Sequence, residues 1–273
     1  MAPMTGRIEL RNRWVLVTGA SSGLGLAMCR VLARDHGANL ILTARRREKL
    51  EALGKALEAD HGVEAVIIPA DLTSPEDTDR LFEEATASRT VHAAVLNAGM
   101  TYYGPHLDLP RDTFQALLSL NVTSTVRLTG KFVPYLIRKG EGGGLMLVAS
   151  MAGFVPMPYQ AAYGGSKAFV ASFARSLREE IRGEHISLTV FAPGGIATEM
   201  LETSGLSRKF KADGPGIMRV ETCAELGVKA LVRRKTLAVP GFMNRLGLLL
   251  MRFLPAGAAG RVMARIYRPD QIS

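Results

Sequence analysis

Seven short apolar runs, separated by longer stretches with helical spacing, constrain this chain more than any other feature. The runs are WVLVTG (14–19), ANLILTA (38–44), EAVIIPA (64–70), VHAAVLNAG (91–99), GLMLVAS (144–150), ISLTVFAPG (186–194) and TLAVPG (236–241). Each is continuous and rich in β-branched residues, as strands covered on both faces of a parallel sheet must be. The stretches between them read as helices. GLAMCRVLARDHG stops on Gly37, REKLEALGKALEADHG spaces Leu50, Leu53 and Leu57 along one face, and SPEDTDRLFEEATAS opens on Ser74 as N-cap with Pro75 in the first turn. Repeated βα units predict a single-domain, Rossmann-type doubly wound α/β sheet with right-handed crossovers and helices on both faces.

At 273 residues, 47% hydrophobic and 22% charged, the chain is large enough for a substantial core. Cys29 and Cys223 are too few for a disulfide framework and read as buried small hydrophobes, which fits a reducing, cytoplasmic setting. The opening MAPMTGRIELRNRW lacks the apolar core of a signal peptide, and no run of apolar residues is long enough to span a bilayer. The formal charge of +9 is concentrated in the tail: from Lys229 onward nine basic residues stand against Asp270 alone. No nucleic-acid motif accompanies them, and no metal site is expected.

The first strand runs directly into TGASSGLG, Thr18 to Gly25, and then into a helix. A sharp strand-to-helix turn needs residues without a Cβ, and it brings the N–H groups of a helix N-terminus close to whatever binds there. A pyrophosphate is the expected guest. At the end of the second strand, where an acid would hold ribose hydroxyls, stands Ala44, followed by Arg45, Arg46 and Arg47. Guanidinium forks suit a phosphate dianion, so the expected cofactor is NADP(H), with Arg45 the first candidate and Arg46 the second. Three positive charges are otherwise unfavourable at a helix N-terminus.

In AAYGGSKAFV, Tyr163 and Lys167 stand one helical turn apart and share a face. A phenol ordinarily titrates near 10, and an adjacent ammonium favours its anion, which makes it useful for general acid–base work. Gly164 and Gly165 each cost a helix about 1 kcal/mol relative to alanine. Close approach on the cofactor side and packing across a subunit interface both account for them. Ser150 ends a buried strand, where open α/β sheets place ligands. Asn121 lies in the helix-length pattern LSLNVTSTVRLTGKF and needs hydrogen-bond partners if buried.

The spacing Gly-x-x-x-Gly-x-Gly at 19–25, NAG at 97–99, then Asn121, Ser150, Tyr163, Lys167 and PGGIAT at 193–198 resembles the short-chain dehydrogenase/reductase family over roughly residues 10–200. The resemblance implies a strand order 3-2-1-4-5-6-7. It also implies a catalytic set of Asn121, Ser150, Tyr163 and Lys167. Tyr163 would be the general acid/base, Ser150 would orient a substrate carbonyl, Lys167 would bond the nicotinamide ribose, and the Asn121 position would hold a water leading to the lysine. Cofactor-binding residues would be Gly19, Ser21, Ser22, Gly23, Leu24, Gly25, Arg45, Arg46, Asp71, Leu72, Asn97, Ala98, Gly99, Tyr163, Lys167, Pro193, Gly194, Ile196 and Thr198. Asp71 reads equally as a cap on the helix that follows.

The implied activity is the NADP(H)-dependent interconversion of a ketone or aldehyde with an alcohol on an apolar, steroid-like or 3-oxoacyl substrate, by a homodimer or homotetramer. The competing reading, a non-catalytic NADP-binding scaffold, is disfavoured by the intact four-residue set. Residues 1–241 are expected to form the catalytic domain, with a polar, glycine-bearing lid at about 195–220, and 242–273 a basic helical extension packed on it. In the extension Leu246, Leu249, Leu250 and Phe253 form a stripe flanked by Arg245 and Arg252, and Arg261, Arg265 and Arg268 line one face of a second helix. Three roles stay open for it: a cover over the cleft or a subunit contact, peripheral attachment to an anionic membrane, and docking of an acidic carrier protein.

Overall fold

In the computed structural model the alternating runs form one parallel sheet. Residues 6–211, 213–214 and 216–269 are described. Met1 to Thr5 of the expected catalytic domain, Ala212 and Pro215 of the expected lid, and residues 270–273, including Asp270, lie outside them, as does the side chain of Arg252. The first half of the chain gives β1 (Trp14–Thr18), α1 (Gly23–His36), β2 (Asn39–Thr43), α2 (Arg47–His61), β3 (Ala65–Ile67), α3 (Pro75–Ala87) and β4 (Val91–Leu96). Then follow α4 (Arg111–Leu118), a π-helical turn (Ser119–Thr123), α5 (Ser124–Lys139), β5 (Gly144–Val148), α6 (Ala161–Glu180) and β6 (Ser187–Phe191). The rest comprises β7 (Gly195–Ile196), α7 (Glu199–Thr203), β8 (Ile217–Met218), α8 (Val220–Val232), β9 (Leu237–Ala238), α9 (Phe242–Phe253) and α10 (Ala256–Tyr267).

The large sheet has the order β3-β2-β1-β4-β5-β6-β9, all parallel. This is the expected sequence of seven, except that a small parallel pair, β7 with β8, intervenes before the last strand. Successive strand residues point to opposite faces, so the core is double. Val15, Val17, Val95 and Met146 pack under α1 and α8 on one side, and Leu16, Ala94, Leu145 and Leu147 pack under α5 and α6 on the other. Cys29 and Cys223 are buried in the first layer as free thiols, and burial pushes the Cys223 thiol up to about 12.

The helix boundaries follow their caps. Gly37, Gly62 and Gly140 end α1, α2 and α5 in the left-handed conformation, and the Ser74 hydroxyl accepts from the Asp77 amide at the start of α3. Three expectations need correction. The runs at 64–70 and 236–241 give strands of only three and two residues. Pro69 and Pro240 lack the N–H that a longer ladder would need. The stretch around Asn121 is not plain α-helix: the Ser124 amide donates to the Ser119 carbonyl five residues back, a π-turn joining α4 to α5. The region 195–220 is not simply a loop. It carries β7, α7 and β8, and the β7–β8 pairing ties its two ends together.

Candidate active site

The strand order reverses between β1 and β4, whose carboxyl ends open a crevice where such sheets bind ligands. A cleft of about 770 Å³ lies there. Its floor begins at the turn after β1. Gly19 and Gly23 have φ of +69° and +52°, conformations that suit glycine. A Cβ on Gly19 would stand 2.9 Å from Asn97 Nδ2 and 3.1 Å from Ala98 Cα. Gly25 does not line the cleft. It sits behind it, where a Cβ would overlap the Gly19 carbonyl oxygen, so its role is to let α1 press against the turn. Thr18 ties this turn to the end of β4: its hydroxyl accepts from the Asn97 and Ala98 amides at 2.8 and 2.9 Å, and Asn97 Nδ2 donates to its carbonyl at 2.9 Å.

Helix α1 starts at this turn with no acidic residue in its first turn and no side-chain cap from Ser22. Its N-terminal amides therefore suit an anion. Arg45 and Arg46 border the same space. The Arg46 guanidinium donates to Ser21 Oγ at 3.1 and 3.3 Å and pairs with Glu199 at 2.8 and 3.0 Å. Glu199 also bonds Ser22, and these partners hold its carboxyl down at about 2. A carboxylate from α7 thus occupies donors that would serve a cofactor phosphate. The residues present fit a dinucleotide: a cradle that side chains would fill, an acid-free helix end, and two guanidinium groups. Leu24 and Asp71 line the cleft with the nearly buried Leu72. Asp71 Oδ1 accepts from the Thr73 amide and hydroxyl at 3.0 and 2.8 Å, while Ser74 does the capping of α3.

Gly99, Pro193, Gly194, Ile196 and Thr198 form the far wall. Thr198 packs where a Gly23 side chain would be, 3.3 Å from the notional Cβ, so the segment between β7 and α7 rests on the turn. The Pro193 carbonyl accepts from the Ser150 hydroxyl at 3.3 Å and from the Met151 amide at 2.8 Å.

Ser150 follows β5 and starts a tight 3₁₀ turn, Met151–Gly153, accepting from the Ala152 amide at 3.2 Å. That turn lies directly on α6. A Cβ at Gly153 would come within 2.6–2.7 Å of the Lys167 and Ala168 backbone. Gly164 meets the same turn from the other side: a Cβ there would stand 3.0 Å from Met157 Cβ and 3.1 Å from the Ala152 carbonyl oxygen. Gly165 meets nothing within 4 Å and is exposed. Gly164 thus permits close approach to the serine-bearing turn and Met157 rather than to the cofactor side, and Gly165 belongs to an open surface.

Tyr163 and Lys167 both reach the cleft, with the ammonium 5.9 Å from the centre of the phenol ring. Lys167 is buried and donates to the Val148 carbonyl at 2.9 Å; burial lowers its pKa to about 8. The net shift of the phenol is upward. Burial raises the Tyr163 pKa, and the opposing influence is the Ser150 hydroxyl, which donates to the anionic form. Asn121 is fully buried behind the cleft. Its side chain holds residue 100 at both backbone groups, Nδ2 donating to the Met100 carbonyl and Oδ1 accepting from the Met100 amide, each at 2.9 Å, and Nδ2 also donates to Ser166 Oγ at 3.0 Å. The side chain thus braces the loop after β4.

Residues 13–209 match the short chain dehydrogenase family model. The chain belongs to the short-chain dehydrogenase family. Among relatives, the human 17-beta-hydroxysteroid dehydrogenase type 3 is 32% identical over 69% of this chain and 61% of its own. The very-long-chain 3-oxoacyl-CoA reductase of Anas platyrhynchos is 30% identical over 70% of this chain and 62% of its own. A short-chain dehydrogenase from Sphingobium yanoikuyae, solved in complex with NADPH, superposes with a TM-score of 0.78 at 27% identity, covering 96% of this chain and 98% of that one. The short-chain dehydrogenase fold and its motifs were legible beforehand. The outer part of the cleft was not. Glu199, Gln160, Asn244, Met263 and Tyr267 all border it, and none sits in a motif with a fixed interval. Tyr267 is held there by contacts from two sides: the Tyr103 hydroxyl donates to its carbonyl at 2.9 Å, and the Phe210 ring lies 4.9 Å away.

Proposed function

We propose that this oxidoreductase interconverts a ketone or aldehyde with the corresponding alcohol, using NADP(H), on an apolar substrate of the steroid-like or 3-oxoacyl kind. The observation that carries the reading is the convergence of Ser150, Tyr163 and Lys167 on one cleft with the glycine turn. NADP(H), when bound, supplies or accepts the hydride at the substrate carbon. Gly19, Ser21, Ser22, Gly23 and Leu24 would hold its pyrophosphate, Arg45 and Arg46 its 2′-phosphate, Asp71 and Leu72 its adenine side, Asn97, Ala98 and Gly99 the middle of the molecule, and Pro193, Gly194, Ile196 and Thr198 its nicotinamide end.

The chain's own groups divide the remaining work. Ser150 donates to the substrate oxygen and holds it beside Tyr163. In the reductive direction Tyr163 protonates that oxygen. A neutral phenol is the form this step needs, and its raised pKa keeps it neutral near pH 7. Lys167 places positive charge behind the phenol and stabilises it when the proton leaves. Asn121 positions the loop that carries Gly99 and Met100.

The substrate reading rests on the apolar lining supplied by Val155, Met157, Leu206, Phe210 and Met263, together with the two named relatives. Gly25 is assigned to support of the turn. Residues 1–241 form the catalytic unit and 242–273 its helical extension. The exposed Gly165 and the stacked pair Phe169 and Phe173 on α6 favour assembly as a homodimer or homotetramer. Among the described residues no helix is long and apolar enough to cross a membrane. The reading places the chain in the cytoplasm, meeting membranes only at their surface. A turnover screen with NADPH and a panel of apolar ketones, run on wild type and Tyr163→Phe, tests the assignment. Loss of at least 100-fold in kcat for the variant is expected from removal of general acid catalysis; unchanged turnover would refute it.

A further inference from the structure

Helices α9 and α10 have two unlike faces. The inner face belongs to the cleft: Asn244 from α9, and Met263 and Tyr267 from α10. The outer face of α9 is apolar and uncovered. At about 100° per residue, Phe242, Leu249, Leu250 and Phe253 fall on the side of α9 away from Asn244. Phe242 and Met243 are 70% exposed and Phe253 is 77% exposed. Leu254 at the turn and Val262 and Ile266 on a flank of α10 are also exposed, while Arg261, Arg265 and Arg268 fall on the side of α10 away from Met263 and Tyr267. Most of the large exposed apolar side chains of the described residues are in these two helices and their joining turn. Scattered exposed apolar residues need no explanation, but a stripe of this length does.

Charge identifies the occupant. Residues 242–269 contain no aspartate or glutamate. Arg245, Arg261, Arg265 and Arg268 are exposed, and among the described residues none of them pairs with a carboxylate. A second copy docking by the same surface would bring two such sets of like charge together, at a cost. An anionic bilayer answers both features at once: its interface takes the apolar stripe, and its headgroups take the guanidinium groups. We infer that the outer face of α9 and α10 seats this protein on an anionic membrane surface, with the helices lying along it. Because the same helices wall the cleft, an apolar substrate dissolved in the bilayer lies close to the site. This consequence rests on the enzyme reading; the seating itself does not.

The test is flotation of the full chain with phosphatidylcholine vesicles, with and without phosphatidylglycerol. Binding is expected only with phosphatidylglycerol, and it should weaken as salt is raised. The triple variant Arg261→Gln, Arg265→Gln, Arg268→Gln should bind about 100-fold more weakly, roughly fivefold for each charge. Leu249→Ser with Phe253→Ser should also abolish flotation. Circular dichroism and turnover of a water-soluble ketone without vesicles verify that each variant is folded. Absence of flotation with either vesicle would overturn the inference. So would flotation indifferent to the substitutions, or a serine variant that instead changes the sedimenting mass, which would assign the stripe to a second copy. Flotation without ketone turnover would leave the seating intact and refute the enzyme reading; turnover without flotation would do the reverse.

Discussion

Glu199 grips Arg46 with both carboxylate oxygens, at 2.8 and 3.0 Å, directly above the turn that follows the first strand. Helix α7 is therefore joined to the cradle through a pair of charges. A cofactor phosphate bound there would have to take Arg46 and Ser22 from Glu199. Glu199→Gln should tighten NADPH binding. Exposed pairs of this kind contribute little, so the expected gain is at most about fivefold, read as a lower Kd in a fluorescence titration. An unchanged Kd would show that the carboxylate does not compete.

The two arginines should separate the two nicotinamide cofactors. Arg45 is exposed beside the cleft, and Arg46 is partly committed to Ser21 and Glu199. A hydrogen bond to a charged group contributes about 1.5–3 kcal/mol. Arg45→Ala is accordingly expected to raise KM for NADPH at least tenfold and to leave NADH nearly unaffected. Equal losses for both cofactors would contradict the phosphate role.

The neighbouring glycines of α6 should respond in opposite directions. Gly164→Ala forces a methyl against Met157 and the Ala152 carbonyl, and overpacking of this kind costs about 1–3 kcal/mol. Gly165→Ala meets no atom within 4 Å and should stabilise the monomer by up to about 1 kcal/mol. Urea midpoints of the two variants measure the contrast, and a subunit contact at Gly165 would show itself as a smaller sedimenting species.

Lys167 sets a pH dependence whose sign can be worked out. Burial lowers its pKa to about 8 from an ordinary value of 10.5. Between these values the unfolded chain binds the proton and the folded chain does not, so folding stability gains as pH rises through that window. Below pH 8 the burial penalty is present in full. The stability of wild type relative to Lys167→Met should increase between pH 8 and 10, by at most about 3 kcal/mol. A flat difference over that range would mean that the ammonium stays protonated in the fold.

The residues that line the inner half of the cleft stand in motifs with set intervals, which the sequence displays. Gly19 follows from the sharp turn after a buried strand, while Ser150 at a strand end and Tyr163 and Lys167 one helical turn apart are the positions that the family resemblance implies. The outer half has no such intervals. Tyr267 enters the cleft because a hydroxyl from Tyr103 and a ring from Phe210 meet it, contacts spanning more than fifty residues in sequence. The π-turn at Asn121 was equally invisible, since no residue type marks it as glycine or proline marks a turn. The ends of the third and last strands of the sheet were overestimated because proline stops a ladder without interrupting an apolar run.

The contact at Gly153 has an evolutionary consequence. There the turn bearing the serine touches the helix bearing the tyrosine and lysine main chain to main chain, with no side chain between them. Their separation is therefore indifferent to which residues decorate the lid or the tail. New specificities can be sampled in those outlying segments while the chemical centre keeps its dimensions.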